Sequence, residues 1–246
     1  MQPTSTRRNF LTGAAFVVLA PVLTNAAIAQ TKTGKTEEKE EGPEVIATED
    51  LMREHGVLRR ILIAYSEIAP KLRTNAASVD AFALRRAAQL FQAFGEEYHE
   101  KKLEETYIFP AAAKIGGKTA ELAQVLLTQH KRGREITQYV LRAAQAKLQP
   151  QLADSLEQFV RMYRAHAARE DTVLFPAWRK TMNASQLHEI SEKFEDIEHQ
   201  QFGKDGFEDA VQKIASIEQA LGLGDLSRFT APPLPGNVGQ RLANAG

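Results

Sequence analysis

Cysteine is absent from all 246 residues, which excludes disulfides, iron–sulfur clusters and thiolate chemistry. Any metal must therefore be held by His, Asp and Glu. Net charge is missing too, with 31 basic residues against 31 acidic ones. No basic stripe interleaved with aromatics occurs, so the electrostatic footprint of a nucleic-acid surface is lacking. Alternating apolar runs bounded by Asn-Gly or Asp-Gly turns are almost absent, which leaves little from which to build a sheet. The apolar run from Leu11 to about Leu23 is too short to span a bilayer comfortably.

What is present begins with a targeting segment. Thr6-Arg-Arg-Asn-Phe-Leu11 precedes the apolar run, and Ala27-Ile-Ala29 supplies a small-x-small cleavage pattern. The Arg7-Arg8 pair followed by Phe10-Leu11 resembles a bacterial twin-arginine export signal. That resemblance implies export of an already folded chain, often with its metal or cofactor inserted. The expectation is a signal over 1–29, cut after Ala29, and a mildly acidic periplasmic protein without stable membrane insertion. Residues 30–44 are mostly Lys, Glu, Thr and Gly and hold no large apolar side chain, so they read as a solvated, flexible tether.

From Val45 onward the apolar residues repeat at helical spacing. A first helix, with Thr48 as N-cap and Glu49 and Asp50 in its first turn, carries Leu51, His55, Leu58, Leu62 and Tyr65 on one face. A second, from about Val79 to Phe109, shows Leu84, Ala88, Phe91, Gly95 and His99, with Pro110 and Gly116-Gly117 ending it. A third, from about Thr119 to Leu148, carries Ala123, Leu126, His130, Gly133 and Val140. The fourth has the cleanest stripe, Leu152, Leu156, Phe159, Tyr163, His166, Glu170 and Val173, closed by Phe175-Pro176. Four such helices predict an all-α, antiparallel up-down four-helix bundle over 45–182. Two further helices, from Ser185 and from Phe207, form an extension over 183–225, and a Pro-rich irregular tail occupies 226–246.

The helices come in two similar pairs. His99 and His166 are each followed by acids, a Thr and Phe-Pro-Ala, and each is preceded by a helix with a histidine in its stripe. One histidine on an apolar face is most often a hydrogen-bonded core residue, but one on each of four faces points to a shared interior site. Glu170 strengthens this, because an unpaired carboxylate in an apolar stripe is strongly disfavoured unless a cation meets it. Residues four apart on an α-helix lie about 40° apart, so His166 and Glu170 can address one ion, whereas Asp171 points about 140° away. Imidazole and carboxylate donors without thiolate suit iron, manganese or zinc.

At these residues the chain resembles the HHE cation-binding, hemerythrin-like family. The resemblance rests on His55, the His99/Glu104 pair with its Phe-Pro, Gln129-His130 with Gly133-Arg134, and His166-x3-Glu170 with its Phe-Pro, and covers Thr48 to about Ala177. It implies a bundle holding two non-haem iron ions bridged by Glu104 and Glu170 and capped by His55, His99, His130 and His166. It also implies binding or sensing of dioxygen, nitric oxide, peroxide or redox state rather than dedicated turnover. Two features depart from the pattern. Arg134 stands where oxygen-carrying members have another histidine. His99 and Glu104 are five residues apart, not four, and a π-bulge between them would bring both back to one face.

Competing functions make different demands. A ferritin-like oxidase needs Glu-x-x-His on two helices, and Glu96 to His99 is the one candidate. A low-turnover peroxidase and a zinc-bound or metal-free interaction module fit the same helices. His188 and His199 lie among charges and read as solvated, and Trp178 reads as packing. Tyr163 could orient a ligand or fill the core, and Gly95 and Gly133 could leave space for a small molecule or for close helix contact.

Overall fold

The computed structural model describes residues 45–234. The expected export signal at 1–29, the tether at 30–44 and the end of the tail at 235–246 lie outside the described residues. No strand occurs among the described residues, and the fold is all-α. No helix there is long and apolar enough to cross a membrane.

Helix α1, Ala47–Asn75, buries its whole expected stripe from Leu51 to Tyr65. Asp80 caps α2, Ala81–Leu90, by accepting from the N–H groups of Phe82 and Ala83. The rod then continues as a π-helix over Phe91–Ile108 and returns to α geometry in α3, Phe109–Ile115. Pro110 does not end this helix, contrary to expectation. It sits in the first turn of α3, where an N–H is dispensable. The turn is made by Gly116 and Gly117, at φ 79° and 52°, a region that strongly favours glycine.

Helix α4, Gly117–Gln145, follows directly and buries Ala123, Leu126, His130, Gly133 and Val140. Helix α5, Leu152–Arg169, passes through a second π-helical segment, Glu170–Leu174, into α6, Phe175–Arg179. Here too the Phe-Pro pair is traversed rather than terminal. The π turn also shifts the inward phase: Leu174 is buried, while Val173, expected inside, is 47% exposed.

Helix α1 packs along α5, α2 along α4, and α4 along α5. Their shared core includes Phe91, which meets Phe159 and Tyr163 edge-on, and Tyr65, edge-on to Phe159. Each such pair is worth about 0.5–1.5 kcal/mol beyond its buried area. The C-terminal helices α7, Ala184–Phe202, and α8, Gly206–Ala220, lie on the same core through Phe194, Ile214 and Ile217. Trp178 stacks on Phe194, as a packing residue would. The start of α1 shows how closely the extension is joined. Its N-cap is Ile46, not Thr48, and offers no side-chain acceptor. Ser191 of α7 supplies one, accepting from the Ala47 N–H at 2.9 Å.

Candidate metal centre

Two local devices aim the acids inward. In a π-helix each N–H bonds five residues back, so residues five apart share a face. The Phe91–Ile108 segment therefore brings His99 and Glu104 together, Nε2 to Oε1 at 3.4 Å. It is far longer than the single bulge expected. The second device is the Phe-Pro pair: Phe109 donates its backbone N–H to the Glu104 carbonyl, and Phe175 donates to that of Glu170. Each phenylalanine ring then stacks on a histidine from another helix, Phe109 on His130 and Phe175 on His55.

The six predicted residues converge, all at least 98% buried. His55 and His99 bring their Nε2 atoms to 3.1 Å, and His130 and His166 do the same. Glu104 lies across both pairs, 3.4 Å from His99 and 3.3 Å from His130 through different oxygens. Glu170 does likewise, 3.4 Å from His55 and 3.0 Å from His166. Two positions result: His130, His166, Glu104 and Glu170 bring one donor atom each within 4.8 Å of one another, and so do His55, His99 and Glu104, with Glu170 reaching this latter group through His55. An ion bound at about 2.1 Å sets neighbouring donors about 3.0–3.4 Å apart, from octahedral to tetrahedral geometry. The observed separations fall in that range.

Each ring's other nitrogen is already committed. His55 Nδ1 donates to Asp171 at 2.6 Å, His99 to Glu54 at 2.5 Å, His130 to Glu105 at 2.9 Å and His166 to the Gln129 amide oxygen at 2.9 Å. A neutral imidazole that donates through Nδ1 presents a lone pair at Nε2. In that neutral form four lone pairs face four carboxylate oxygens, and none of those oxygens has a hydrogen-bond partner among the described residues. Buried acceptors facing only acceptors are unfavourable without positive charge between them. The donor set fits two cations.

Comparison with known proteins agrees. The profile of the Hemerythrin HHE cation binding domain matches residues 46–178 and 121–223. The chain belongs to the hemerythrin HHE family. The uncharacterized proteins Rv1995 of Mycobacterium tuberculosis (strain ATCC 25618 / H37Rv) and Mb2018 of Mycobacterium bovis are each 47% identical over 192 residues, 76% of this chain and 74% of the relative. No solved structure matches the chain. Membership in the HHE family makes cation binding the shared property, and the His and Glu groups provide the means.

The electrostatics of this HHE centre follow from its burial. Burial alone would raise Glu170, but His166 and His55 outweigh it and hold the carboxyl well below the ordinary range. Burial and the neighbouring Glu170 charge push Glu104 up, while His99 and His130 pull it down further. Burial would lower His130, yet Glu100, Glu104 and Glu105 raise it to about 10. Positive charge is thus strongly favoured among these side chains, as a proton on an imidazole or as a cation in its place.

The residues that orient the four histidines went unassigned in the sequence, although their signal is there. Glu54-His55 with Arg59 and Gln129-His130 with Arg134 are one pattern repeated, as are Glu104-Glu105 and Glu170-Asp171. In space Arg59 pairs with Asp171 behind His55, and Arg134 with Glu105 behind His130. Arg134 therefore lies outside the centre, also bonded to Glu100 at 2.9 Å. Tyr163 donates to Glu100 at 2.5 Å rather than to a ligand. Gly133 makes that possible, since a Cβ there would lie 2.2 Å from the tyrosine oxygen. Gly95 abuts Leu58, the close-packing role. Asp171 does not join the ligand groups, and neither does Glu96. His199 is exposed and His188 half-buried, both away from the centre.

Proposed function

We propose that the chain is a two-iron, hemerythrin-like protein whose helices form an antiparallel four-helix bundle. Its ions are held by His55, His99, His130 and His166 and bridged by Glu104 and Glu170. Zinc or manganese would suit the same donors. One observation carries this reading: the four unpartnered oxygens of Glu104 and Glu170 each face an imidazole Nε2, two of them at each pair of histidines. When bound, paired iron ions supply redox-active positions at which a small oxygen- or nitrogen-containing ligand can be held.

The protein's own contribution is orientation and exclusion. Acceptors at each Nδ1 keep the rings in one tautomer, and the stacked Phe109 and Phe175 fix their planes. A narrow cavity beside the histidines, lined by Leu58, Leu62, Glu100, Tyr163 and Ala167, has room for about one water-sized molecule. So small a space beside the histidines suits a ligand of very few atoms. With Arg134 turned outward, the centre has four imidazoles and lacks the extra one of oxygen carriers. We therefore favour sensing or transient binding of such a ligand, or of redox state, over reversible oxygen carriage, and assign no dedicated enzymatic turnover. The Arg7-Arg8 segment supports export by the twin-arginine route, cleavage after Ala29 and a periplasmic location.

Metal analysis with an ultraviolet-visible spectrum, on protein purified from its own compartment, tests the reading. About two irons per chain with oxo-bridge charge-transfer bands is the expected result. Zinc, or no metal, overturns the iron assignment and leaves an interaction module as the better account.

A further inference from the structure

The imidazoles of the two halves follow the same plan, while Glu170 gathers closely with His130, His166 and Glu104 and meets the other half through His55, so the places where the halves differ are informative. At the first position, both imidazoles give their Nδ1–H to carboxylates: His55 to Asp171 and His99 to Glu54. At the second, His130 donates to Glu105, but His166 donates to the neutral amide of Gln129. Glu54 and Gln129 are equivalent residues, each immediately preceding a histidine and each serving the histidine of another helix. Glu54 is fully buried.

The surrounding charge does not by itself separate the positions. Asp171 is paired with Arg59 near the first, and Arg134 is paired with both Glu105 and Glu100 near the second. Counting Glu54 with the former and Glu100 with the latter gives each position one excess negative charge. The difference lies in how that charge reaches the ion. Glu54 acts through the hydrogen bond to a ligand ring, which makes the ring a stronger donor. Glu100 lies 3.8 Å from His130 Nδ1 and is engaged by the Tyr163 hydroxyl and the Arg134 guanidinium, so it does not polarise a ligand in that way.

We propose that the two metal positions are inequivalent, and that Glu54 makes the His55/His99 position the tighter one, filled first when metal is scarce. Glu54 and Gln129 are positioning residues that set the order of loading. The inference rests on the two-ion reading above. Replacing an outer partner of a ligating histidine changes metal affinity by about 10–100-fold, so the two steps should be separable.

The test is a Zn2+ titration of the chelator-stripped full-length protein against a chromophoric competitor, comparing the parent with Glu54→Gln and Gln129→Glu. The parent should bind two ions in resolved steps. Glu54→Gln should weaken the tighter step by about 10–100-fold and leave the weaker one unchanged, merging the two. Gln129→Glu should strengthen the weaker step and also merge them, and it keeps the test decisive if Glu54→Gln misfolds. Two ions bound with equal affinity in the parent, or Glu54→Gln weakening the second step, overturns the inference alone. Failure of the folded parent to take up two ions overturns the two-ion centre and the inference with it.

Discussion

Phe109 gives its backbone N–H to the carbonyl of Glu104, five residues earlier, and so closes the π-helical segment at the residue that spans both histidine pairs. The extra residue between His99 and Glu104 is absorbed by this register. Deleting Leu103 should let the stretch revert to α-helix with His and Glu four apart. Two ions should still bind, while the loss of a buried leucine costs about 2–5 kcal/mol of stability. Metal content and urea unfolding of the deletion variant check both halves. Loss of metal binding in a folded variant would show that the π geometry itself is required.

Glu170 and Asp171 are neighbours with separate tasks. Glu170→Ala, or His166→Ala, should abolish occupancy of the paired centre while circular dichroism retains most of the helix signal. Asp171→Asn should keep two ions per chain, weakened by about 10–100-fold, because the residue orients His55 without facing the ions. If Asp171→Asn alone empties the centre, the assignment of these two acids is reversed.

Gly133 is constrained by Tyr163. A Cβ at this position would lie 2.2 Å from the tyrosine oxygen and 2.9 Å from Cζ. Gly133→Ala should therefore expel the hydroxyl from Glu100 and cost about 1–3 kcal/mol. Adding Tyr163→Phe removes the closest clash, so the double variant should lose less than the sum of the single effects. Thermal unfolding of the four proteins in this cycle measures the coupling.

Glu96 gives stability a pH dependence. Burial, aided by Glu100, raises its carboxyl from 4.5 to about 7 against the pull of Thr137 and Arg134. Between those values the folded chain binds a proton that the unfolded chain does not. Stability therefore falls as pH rises through this window, by roughly 3 kcal/mol in all. Glu96→Gln stays neutral and should exceed the parent in stability at pH 8 but not at pH 5. Urea unfolding at both pH values, with equal metal content, gives the difference.

Much of the architecture is legible in the stripes. Leu51 through Tyr65, Leu84 through His99 and Leu152 through Glu170 are buried as their helical spacing requires. The Phe-Pro pairs were misleading as stop signals, because a proline in the first turn after a π segment needs no N–H and lets the rod continue. Val173 was misplaced for the related reason that a π turn shifts the face by one residue, and the sequence around it keeps ordinary α spacing up to Glu170. The partners at Nδ1 were missed because each comes from a distant segment, as Asp171 does for His55 and Glu54 for His99.

By itself the sequence determined the donor chemistry, since a chain without cysteine but with a histidine in each of four apolar stripes can offer imidazole and carboxylate to a buried cation. It also determined which side of each helix faces inward up to the π turn after Arg169, because apolar spacing sets burial. Tertiary structure decided that Glu104 joins Glu170 across both histidine pairs, and which acid or amide stands behind each ring. Those choices depend on backbone register and on contacts between helices far apart in the chain, which local spacing does not encode.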